Sequence, residues 1–83
     1  MKILLWATSL QADILGLALR LDANPDVRLL IVTEHAPSFL KSPVARRRPL
    51  RAPVLDRTEP GVKHAGAEFG ADVVVCDNHF PHF

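Results

Sequence analysis

Apolar runs and amphipathic stretches alternate along this chain. "KILLWA", Lys2 to Ala7, is apolar after its first residue and does not alternate, the pattern of a short strand covered on both faces. From there Leu10, Ile14, Leu17, Ala18 and Leu21 recur at helical spacing, and Leu15 and Leu19 widen that face. Thr8 predicts a cap for this helix, with Gln11 three residues on to complete a capping box. "DANP" closes it, because Asn24 suits a C-terminal cap and Pro25 cannot continue a helix. "VRLLIVT", Val27 to Thr33, is a second strand of the same buried type.

Residues 34–57 break the alternation. Pro37, Pro43, Pro49 and Pro53 interrupt the segment, and Lys41, Arg46, Arg47, Arg48, Arg51 and Arg57 make it basic. No helix of ordinary length fits between those prolines, so a long basic loop is predicted, with "APVL" as a short extended piece. A second helix follows, capped by Asp56 or Thr58 with Pro60 in its first turn. Val62, Ala65 and Phe69 form its apolar stripe, and Gly70 stands where a C-terminal glycine belongs. "DVVVC" is the third strand, with Cys76 read as a small buried apolar residue.

The order is strand, helix, strand, loop, helix, strand. Strands that alternate with helices call for a parallel sheet with crossovers of one hand, hence a three-layer, Rossmann-like α/β fold with a short parallel sheet. Three strands and two helices leave an edge or a face uncovered. The reading is therefore a single small α/β domain over 1–83, or a piece of a larger one, able to pair with a second copy through its open edge.

Composition narrows this picture. The chain has 83 residues and buries only about 60% of its unfolded surface, so its core is small. A net charge of +1 argues against a nucleic-acid-binding polycation. One cysteine excludes an internal disulfide and fits a reducing, cytoplasmic setting. Gln11 and Asp13 interrupt the first apolar run too early for a secretory leader, and no run reaches the length of a membrane span.

In parallel sheets ligands bind beyond the carboxyl ends of the strands, where strand order reverses. If the third strand lies beside the first, that rim gathers Thr8, Ser9 and Gln11 after one, and Asp77, Asn78 and His79 after the other. The helix after Thr8 would add free backbone amides able to hold an anion. Turn and capping chemistry is the competing account of the same residues. No glycine-rich turn follows the first strand, so a dinucleotide fingerprint or a phosphate loop is absent and no cofactor is expected. His35, His64, His79 and His82 are too scattered to predict a metal site. Arg46, Arg47 and Arg48 can clamp a phosphate or an acidic partner through bidentate contacts, or remain solvated.

The layout, from "KILLWAT" through a variable loop to "ADVVVCDNHFP", resembles the N-terminal half of a two-domain (GT-B) glycosyltransferase. The resemblance implies an acceptor-side portion acting in glycan or cell-envelope biosynthesis, contacting a glycan acceptor or a nucleotide sugar. It also implies a separate C-terminal donor domain, without which the chain does not catalyse transfer. His79 is then the general base and Asp77 its catalytic neighbour, with Thr8, Ser9, Gln11, Asn78 and Arg46 to Arg48 as substrate contacts. "DVVVCDNHFP" also resembles the strand of response-regulator receiver domains that ends in the phosphorylated aspartate, with Pro81 four positions after Asp77. Trp6, Ala7 and Thr8 stand where that family holds magnesium with acidic residues, so the resemblance implies a degenerate, non-catalytic signalling module. "APVLDRTEPGVKHAGAEFGADVVVC" is similar, more distantly, to the front of formyltransferases, whose catalytic residues come later than Phe83.

Overall fold

The computed structural model describes residues 1–8, 10, 12–34 and 36–76. Four parallel strands form one sheet in the order β3-β2-β1-β4, with β1 at Lys2–Ala7, β2 at Arg28–Thr33, β3 at Val54–Asp56 and β4 at Val73–Cys76. Among the described residues four helices accompany them: α1 (Ala12–Ala23), α2 (Ala36–Leu40), α3 (Pro43–Arg47) and α4 (Val62–Phe69).

The two central strands are buried because their apolar runs face helices on both sides. Ile3, Leu5, Ala7, Leu29 and Ile31 point to one face, where Leu10 and Ala18 are buried with them and Ile14, Leu17 and Leu21 of α1 pack. Leu4, Trp6, Leu30 and Val32 point to the other, against Val62 and Phe69 of α4. This alternation makes the three layers. The chain steps from β1 outward to β2 and β3, then returns across the sheet to β4, so crossovers of one hand place α1 and α4 on opposite faces.

The fold class read from the chain holds, with corrections inside it. Residues 34–57 are not one loop. Pro37 and Pro43 sit in the first turns of α2 and α3, where a missing N–H costs nothing, and two five-residue helices fit between the prolines. "APVL" becomes part of a fourth strand, because Val54 and Leu55 pair with Ile31 and Val32. α1 begins at Ala12, and the expected cap by Thr8 with Gln11 falls partly on Gln11, which lies outside the described residues. Gly61, at φ 84°, caps α4 in place of Asp56 or Thr58, and Pro60 precedes the helix. Gly70 ends α4 at φ 62°, a left-handed conformation that glycine adopts without strain.

The largest correction concerns β4. It pairs with β1 from Ile3↔Val73 to Trp6↔Cys76, but nothing pairs with its other edge among the described residues. Val73 is 41% exposed and Val74 49%, and Cys76 is exposed too, not buried. Asp72 fixes its register: the Asp72 carboxylate accepts the Lys2 N–H at 2.9 Å, and the Asp72 N–H donates to the Lys2 carbonyl at 2.8 Å.

Candidate functional site

The carboxyl ends of the strands form one rim, and β4 lies beside β1 there. Cys76 is opposite Trp6, so the described part of β4 ends next to the residues that lead into Thr8. This is the reversal point of the sheet, since β2 continues from β1 in one direction and β4 in the other.

Thr8 is half-buried and its main chain is tied to β2. The Thr8 carbonyl accepts the Glu34 N–H at 3.3 Å and the Thr33 hydroxyl at 3.4 Å. Among the described residues Thr33 is the one buried polar residue, and its hydroxyl also reaches the Glu34 carbonyl at 3.3 Å. A buried hydroxyl needs such partners, because leaving one unpaired costs roughly 1–3 kcal/mol. The turn after β1 is thereby held to the end of β2.

At the end of β3, one Asp56 carboxylate oxygen accepts the Thr58 N–H at 2.9 Å and hydroxyl at 2.7 Å, while the other accepts the Ala36 N–H at 3.1 Å. Asp56 thus starts α2 and forms the turn after β3. Arg57 pairs with Glu34 alongside it. The sequence offered Asp56 and Thr58 as caps of the following helix; the structure instead uses Asp56 as a turn-forming acceptor for Thr58 and for Ala36.

Among the described residues the charge on the rim is mixed and leans acidic. Asp13 in the first turn of α1, Glu34 and Asp56 stand against Arg57. Asp13 puts a negative charge at the amide end of α1, which weakens any pull of that helix on a phosphate. A rim of this kind suits hydroxyl-bearing ligands better than polyphosphates.

The structure places Arg46 and Arg47 in α3 and Arg48 at its end, all exposed. Arg47 and Arg48 line a groove with Leu15, Gly16 and Leu19 of α1, one to two turns along that helix from its rim end. They belong to a different surface from Thr8. Ser9, Gln11, Asp77, Asn78 and His79 lie outside the described residues. Among the described residues no three His, Cys, Asp or Glu side chains stand close enough to hold a metal, and no helix is long and apolar enough to cross a membrane. His64 and Glu68 form an exposed i,i+4 contact at 2.9 Å on α4, worth little to stability.

Comparison with known protein families, curated proteins and solved structures finds no match to this chain. The reading of function therefore stands on geometry and on residue chemistry.

Proposed function

We propose that the chain is a ligand-binding α/β module whose cleft lies on the rim between β1 and β4. Its specific form is the acceptor-side part of a two-domain glycosyltransferase in glycan or cell-envelope biosynthesis. The observation that carries this is the pairing of β4 with β1, which supports a shared rim for Thr8 and the residues after Cys76. The mixed, acid-leaning charge of that rim favours sugar hydroxyls as ligand over the phosphates of a nucleotide sugar, which fits an acceptor site. His79 acts as the base toward an acceptor hydroxyl, with Asp77 beside it in the chain.

The open edge of β4 has a role in the same reading. A strand with exposed Val73 and Val74 and no proline or lysine on it is built to be covered. A donor domain docks there in the complete enzyme, and a second copy of the chain takes its place in isolation. Alone, the chain transfers no sugar.

The test is an NMR titration of the isotope-labelled chain with a chito-oligosaccharide and, separately, with uridine diphosphate glucose. Saturable shifts at Thr8, Thr33 and Cys76 with the oligosaccharide are expected, and silence at all three contradicts the proposal. A magnesium-dependent mass gain from acetyl phosphate, lost in Asp77→Asn, would replace it with the receiver-type reading.

A further inference from the structure

The groove between α1 and α3 combines three features that the rim does not use. It has a volume of about 330 Å³ and its walls are Leu15, Gly16 and Leu19 of α1 with Val44, Arg47 and Arg48. Its apolar lining is accessible: Val44 is 43% exposed.

The second feature is charge. Between Glu34 and Asp56 the chain carries Lys41, Arg46, Arg47, Arg48 and Arg51 and no carboxylate. Among the described residues the ion pairs are Arg57 with Glu34 and His64 with Glu68, so Arg47 and Arg48 line the groove without a carboxylate partner among them. Asp22 is the acid of α1 nearest to this segment in contacts, and its carboxylate is taken by the Arg51 and Ala52 N–H groups at 2.7 and 2.9 Å.

The third feature is Gly16. A glycine inside a helix costs about 1 kcal/mol against alanine. Nothing in the fold requires it, because a Cβ at Gly16 would meet no atom within 4 Å. The glycine instead opens the groove and brings the α1 backbone within reach of whatever enters.

We propose that this groove docks an acidic, amphipathic helical segment of a partner protein, with apolar side chains seated over Leu15, Gly16 and Leu19 and carboxylates on Arg47 and Arg48. Helix-in-groove recognition needs an apolar channel for residues at i and i+4 with matching charge on its rim, and both are present. Two other occupants fit less well. A membrane surface calls for a long amphipathic helix lying flat, whereas α2 and α3 have five residues each. Single-stranded nucleic acid calls for aromatic side chains to stack on, and among the described residues no aromatic one lines this groove.

The experiment uses fluorescence anisotropy with a labelled peptide of about four helical turns, bearing leucines along one face and glutamates beside them. Two controls accompany it: a peptide of the same composition with its leucines scattered, and vesicles of phosphatidylcholine with phosphatidylglycerol. Saturable binding of the patterned peptide is expected, weakened about tenfold or more in R47E/R48E. Gly16→Leu, whose Cβ meets no atom of the fold and whose side chain occupies the groove, should weaken it comparably while circular dichroism stays unchanged. Equal binding of the scattered peptide, unchanged binding in Gly16→Leu, vesicle binding without peptide binding, or no saturable binding of the patterned peptide would each overturn the proposal.

Discussion

Asp22 and Asp72 each hold a chain entrance to its neighbour with one carboxylate. Asp22 accepts two backbone N–H groups as the chain enters β3, so Asp22→Ala should cost about 1–2 kcal/mol in urea unfolding, because both donors lose a charged acceptor. The glycines separate in the opposite sense. Gly70, at φ 62°, should lose about 1 kcal/mol as alanine, whereas Gly16 in the middle of α1 should gain about 1 kcal/mol. A Gly16→Ala variant that is destabilised would mean that the fold itself needs that position empty. The Gly70 cap was readable in the sequence because it follows the last apolar residue of its helix. The capping box of Thr8 with Gln11 falls partly on Gln11, outside the described residues, while the Thr8 carbonyl is engaged at the end of β2.

At the scale of elements, the strands β1 and β2 were legible because continuous apolar runs have no other soluble solution than burial on both faces. β3 was legible only as a short extended piece, because three residues after a proline carry too little pattern, and pairing with Ile31, Val32 and Thr33 makes them a strand. β4 shows the limit of the same logic. "VVVC" reads as a buried strand by composition, yet it occupies an edge and leaves Val73 and Val74 exposed. Leu5, fully buried between β2 and β4, should matter greatly: Leu5→Ala removes roughly 2–5 kcal/mol, a large share of the roughly 5–15 kcal/mol that holds a domain folded. Val74→Lys should change stability little, and it should suppress concentration-dependent association seen by light scattering, since a charge on an edge strand opposes pairing. Association unaffected by Val74→Lys would place the contact elsewhere.

For the whole molecule, the candidate site was legible only as a place. The alternation of strands and helices located a rim, and the β3-β2-β1-β4 order makes its reversal point fall where Thr8 stands. The chemistry around it was less readable, because Thr33, Asp56 and Arg57 come from strands that the linear pattern does not bring together. The arginine groove was hidden for a related reason: its floor is α1, and no spacing in the chain links Gly16 to Arg47.

The account rests on β4 running alongside β1 in the same direction. Backbone NOE spectroscopy of the labelled chain tests this directly. Cross-peaks should climb together, from Ile3 with Val73 through Leu4 with Val74 to Trp6 with Cys76. A descending series, Ile3 near Cys76 and Trp6 near Val73, or no cross-peaks between these segments, would remove the shared rim and the proposed function with it.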